Sequence, residues 1–84
     1  MKPEAKLVGK ITHYFDKIGV AVVELTAVLK QGDTICIESG PNTFEQAVES
    51  MQVEHKNVAV AEKGTSIGMK VAQKVKPGDK VYKV

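Results

Sequence analysis

The side chains able to do chemistry in this chain are few and scattered. Cys36 is the only cysteine, and His13 and His55 are the only histidines. His13, Asp16 and Cys36 supply the residue types of a Cys–His nucleophile, in which an imidazole lowers the thiol pKa and an acid orients the ring. Nothing in their spacing joins the three. A cysteine inside the β-prone run Thr34-Ile35-Cys36-Ile37 packs as a small hydrophobe unless something depresses its pKa. His13 and His55 with Glu54 are the available metal ligands, and no paired spacing such as His-x-His or Cys-x-x-Cys occurs. The sequence therefore predicts no catalytic residue, no metal and no cofactor.

The basic residues carry more information. All twelve are lysine, against ten acidic residues, for a net charge of +2. Arginine's planar fork is the usual reader of guanine edges and phosphates, so sequence-specific recognition loses its commonest tool. Lysine still tracks a phosphate backbone as a point charge. Lys10, Lys17, Lys56, Lys70 and Lys74 could form a basic stripe, with His13 and Tyr14 supplying stacking. The plainer reading is a solvated face balanced by Glu24, Glu38, Glu45 and Glu49. Tyr14, Phe15, Phe44 and Tyr82 are the only aromatic residues, too few for an extended base-stacking platform.

Two matched turns position these residues. Lys30-Gln31-Gly32-Asp33 delivers the chain into Thr34 to Glu38, and Lys76-Pro77-Gly78-Asp79 delivers it into Lys80 to Val84. Glycine takes the positive φ of a tight reversal, and the aspartate carboxylate can fold back onto backbone N–H groups. Leu7 to Tyr14 reads as a strand with Leu7, Gly9 and Ile11 on one face. Val20 to Leu25 is the most β-prone run, with Val23 and Leu25 inward alongside Leu29 and Glu24 outward. Ile35 and Ile37 share a face opposite Thr34, Cys36 and Glu38. Phe44 to His55 has fair helix propensity, but its apolar phase slips near Glu49-Ser50 and it reads as a bulged strand. Lys56 to Lys63 is a connector, and Ile67, Met69 and Val71 alternate inward.

At 84 residues the chain is long enough for one modest core. The expected organisation is a flexible N-terminal tail over residues 1–6 and a single β-barrel domain over 7–84. The fold class is all-β, a small closed six-stranded antiparallel-rich β-barrel. No apolar run approaches a membrane span and the first residues are polar, so a cytoplasmic location with no membrane partner is expected. A lone cysteine fits a reducing compartment.

The ordered set Val8-Gly9-x-Ile11, Leu29-Lys30-x-Gly32-Asp33-x-Ile35-x-Ile37 and Val48-x-x-Met51 resembles the β-barrel that follows the GTPase domain in elongation factor Tu and its relatives. The likeness continues through Ala61-x-x-Gly64-x-x-Ile67-Gly68-x-Lys70 and Gly78-Asp79-x-Val81. The stretch Tyr14-Phe15-x-Lys17-Ile18-Gly19-Val20-Ala21 is similar to the C-terminal barrel of collagenase-like peptidase-family proteins, several of which act in RNA modification. No phosphate-binding Gly-x-x-x-x-Gly-Lys-Ser/Thr loop is present, so GTP is not a ligand. At the corner where the GTPases hold aminoacylated tRNA, this chain has Gly64-Thr65-Ser66-Ile67-Gly68 without the acid and amide. The resemblance implies a translation-factor-like, stand-alone, non-catalytic module that binds RNA or a ribonucleoprotein through Lys10, His13, Tyr14, Lys17 and Lys70. The alternative is a protein–protein adaptor partnering a separately encoded enzyme.

Overall fold

The computed structural model describes residues 6–84. The tail expected over residues 1–6 thus lies outside the described residues except for Lys6, which opens the first strand. The described strands are β1 (Lys6–Phe15), β2 (Val20–Leu25), β3 (Leu29–Lys30), β4 (Thr34–Ser39), β5 (Asn42–Ala47), β6 (Met51–Val53), β7 (Lys56–Val58), β8 (Val60–Ala61), β9 (Ser66–Lys70) and β10 (Lys80–Lys83). Eight form one antiparallel sheet in the order β5-β4-β10-β1-β2-β9-β6-β7, and β3 pairs with β8. No helix long and apolar enough to cross a membrane occurs among the described residues.

Alternation along the strands builds the core. Ile11, Val23, Ile35, Ile37, Ile67 and Val81 are buried in one cluster contributed by both halves of the sheet, so the sheet curls around its own inner face. Burying each such side chain contributes about 1.5–3 kcal/mol. Val48 and Val75, from connecting segments, fill the same cluster. Met51 and Met69 pack there as gap-fillers. Gly9 lets β1 and β2 approach closely: a Cβ there would meet Val23 Cγ1 at 2.7 Å and the Glu24 carbonyl oxygen at 3.0 Å.

The two matched turns form as their residues dictate. The Lys30 N–H donates to Asp33 Oδ2 at 2.9 Å, and the Lys76 N–H donates to Asp79 Oδ2 at 2.7 Å. Gly32 and Gly78 take φ of +94° and +96°, as the third position of a type II turn requires. Asp33 also pairs with Lys83 Nζ at 3.3 Å, tying the first corner to the last strand.

Three expectations are corrected. The six-stranded closed barrel is instead an open sheet of eight strands, with β5 and β7 at its edges, beside a two-stranded sheet. The bulged strand over Phe44 to His55 is two strands, β5 and β6, with Val48 to Ser50 between them. The phase slip marks a change of partner: β5 pairs with β4, whereas β6 pairs with β7 and β9. In β1 the register shifts between Leu7 and Gly9, which puts Val8 in the core and leaves Leu7 exposed.

Candidate functional site

From Val20 to Val23, β2 is apolar on both faces. Ala21, Val23 and Leu25 are buried in the core, while Val20 and Val22 face outward and are only half-covered. The β1–β2 turn extends that outer surface. Its Ile18 and Gly19 N–H groups both donate to the Phe15 carbonyl, and Phe15 and Ile18 are 51% and 62% exposed. Beside Val22 in the next strand stands Gly68, and beyond Gly68 stands Gln52. The missing side chain leaves a trough between an apolar wall and a polar one. This groove of about 320 Å³ is bordered on its polar side by Gln52, Glu54 and His55.

The polar wall is held by a tight hairpin. Gln52 Nε2 donates to Asn57 Oδ1 at 3.1 Å across β6 and β7. Glu54 and His55 connect those strands with φ of +51° and +66°, the geometry of a two-residue type I′ turn. Such turns favour Asn-Gly, and a Glu-His pair pays a conformational penalty of about 1–2 kcal/mol per residue. That strain projects a carboxylate and an imidazole at the groove's rim.

Of the five residues expected to bind RNA, four lie on the outward face of β1, β2 and β9 or on the adjoining turn, and Tyr14 does not. His13 faces outward and stacks on Phe15, with ring centroids 6.5 Å apart. Lys70 lies opposite Val20 in the β2–β9 ladder, and Lys17 sits on the exposed β1–β2 turn. Those three border the apolar wall. Lys10 lies farther along the same outward face, between Glu24 and Lys80 in the ladders that flank β1. Tyr14 turns inward and packs against the core.

The nucleophile and metal arrangements are not assembled. Cys36 is buried and lies in register with Tyr82, which faces Leu7. His13 is six positions beyond Leu7 in β1, roughly 20 Å along the strand. His13 and His55 stand on opposite sides of β2 and β9. No group of three metal-ligating side chains occurs among the described residues.

Val20, Val22, Gly68 and the Glu54–His55 turn escaped the sequence reading. A signal was available: four consecutive apolar residues, Val20 to Val23, where a strand open to water on one face alternates.

No family profile matches the chain, but curated relatives do. It is 43% identical over 77 residues to an uncharacterized protease of Methanocaldococcus jannaschii, covering 89% of this chain and 19% of that protein. It is 42% identical over 79 residues to a collagenase of Porphyromonas gingivalis, covering 90% of this chain and 22% of that protein. Two solved structures are of the C-terminal domain of a Geobacillus thermoleovorans protein assigned to the U32 peptidases. One superposes with a TM-score of 0.88 at 20% identity, covering 94% of this chain and 92% of that one. Its selenomethionine variant gives 0.86 at 19% identity, with 90% and 96% covered. The chain is similar to the C-terminal domain of U32 peptidase and collagenase-like proteins. It spans about a fifth of the length of the curated relatives it matches.

These relatives overturn the functional expectation. They are named protease and collagenase, not translation factors, so the translation-factor-like RNA-binding module is set aside. The expectation that the chain is not an enzyme gives way too, because its likeness lies with an enzyme family. In those relatives the matching segment is part of a longer peptidase-type chain.

Proposed function

We propose that the chain serves a U32-type peptidase as its C-terminal domain, seating the groove across Gly68 against the polypeptide of the peptidase portion. One observation carries this reading: the outward apolar wall of Phe15, Ile18, Val20 and Val22. A contiguous apolar surface rimmed by polar groups marks a protein contact. The relatives supply the occupant, since four-fifths of their length lies outside the matched segment. His13 and Lys70 belong to the border of this surface, and the Glu54–His55 turn fixes its polar rim. In this reading the curled sheet is a barrel left open along the seam between β5 and the end of β9.

The test is a calorimetric titration of this chain against the M. jannaschii protease lacking its own matching segment. Saturable binding in the micromolar range or tighter is expected, weakened little by salt because the contact is apolar. No binding, with the truncated protease shown to be folded, overturns the reading.

A further inference from the structure

The groove across Gly68 has electrically unlike ends. Along β9 the outward positions are Ser66, Gly68 and Lys70, while Ile67 and Met69 turn into the core. They stand beside Glu24, Val22 and Val20 of β2, in that order. Gln52 of β6 flanks Gly68 from the other side, and Glu54 joins Ser66 in lining the groove. The walls thus lie two strand spacings apart, roughly 10 Å, with glycine at the centre of the floor. At one end the floor residue is the exposed Lys70, and Lys17 sits on the neighbouring turn. At the other end the floor residue is the short Ser66, with the exposed Glu54 on the wall beyond it. Four residue steps of β9 separate the ends, about 13 Å.

The surrounding charges do not cancel this polarity. Glu24, also at the Ser66 end, is in register with Lys10 of β1, so Glu54 sets the sign there. Asp16 shares the turn with Lys17 but lines a separate hollow with Tyr14, Lys74 and Lys76. Neither Glu54 nor Lys70 is held in an ion pair among the described residues. From this arrangement we infer that the groove reads the polarity of its partner. It takes a segment that is acidic where it meets Lys70, apolar along Val20 and Val22, and basic where it meets Glu54. The segment belongs to the peptidase portion, so the inference rests on the docking reading. Charge complementarity of this kind fixes orientation and rejects the reversed arrangement more than it adds affinity. Because the two ends carry opposite signs, their long-range fields largely cancel and the contact stays weakly salt-dependent.

The experiment extends the titration against the truncated M. jannaschii protease to Lys70→Glu, Glu54→Lys and the double exchange. Both side chains are exposed, so the variants should fold as the parent does, which melting curves check. Each single variant should bind about ten-fold more weakly, because it sets like charges together at one end. The double variant keeps the chain's net charge and reverses the groove, so it should bind more weakly than either. Lys30→Glu, on β3 and outside the groove, should match the parent. Parent-like binding by the double variant, single-variant effects below about two-fold, or an equal loss in Lys30→Glu overturns the inference and leaves docking in place. A parent chain that does not bind overturns the docking reading, and the inference with it.

Discussion

Gln46 and Ala72 are joined across the open seam by a 2.7 Å hydrogen bond from the Ala72 N–H to Gln46 Oε1. The same amide donates to the Lys70 carbonyl, so one side chain links the edge strand β5 to the end of β9. Gln46→Leu keeps the bulk and removes both bonds, leaving a backbone donor and acceptor unpartnered. A loss of about 1–2 kcal/mol is expected, read from the urea midpoint at unchanged m. Gln46→Glu retains the acceptor for Ala72 but turns a carboxylate toward the Lys70 carbonyl, and should lose at least as much.

Gly9 and Gly68 should differ in their tolerance of alanine. At Gly9 the new methyl would lie 2.7 Å from Val23 Cγ1, so Gly9→Ala should destabilise by about 1–3 kcal/mol through overpacking. At Gly68 the nearest atom is Val20 Cγ1 at 3.6 Å, an ordinary contact. Gly68→Ala should stay within about 0.5 kcal/mol of the parent in denaturant melts, while partly filling the groove and weakening the docking titration.

The Glu54–His55 turn should yield stability when relaxed. His55→Gly removes the Cβ penalty at φ +66° and should stabilise by up to about 1 kcal/mol. Calorimetric melting of the variant measures this, and a lower Tm would mean that the imidazole makes a compensating contact.

Cys36 is 2% exposed. A thiol reagent should therefore label it at the rate of opening of the β4 region, accelerating with urea. Rapid labelling under native conditions would contradict its burial.

Much of the fold could be read from local chemistry. The two Gly-Asp corners close on their own aspartate carboxylates, and turn residues of this kind act within a few positions of chain. The burial of Val23, Leu25, Ile35 and Ile37 follows from period-two alternation in the same way. What the sequence hid was non-local. The slip at Glu49-Ser50 looks like a bulge until the partners of β5 and β6 are known. Gly68 becomes a trough only because Val22 and Gln52 happen to flank it. Tyr14 left the expected site because the register of β1 shifts between Ile11 and His13. A one-residue slip turns every later side chain to the other face.

The most direct test of the docking reading compares two apolar-to-acid variants in the titration against the truncated protease. Ile18→Asp alters the groove's apolar wall, whereas Val60→Asp alters another exposed aliphatic residue, on β8 and outside the groove. The account predicts at least about a ten-fold weaker Kd for Ile18→Asp and an unchanged Kd for Val60→Asp. Equal affinities for the two variants would contradict it.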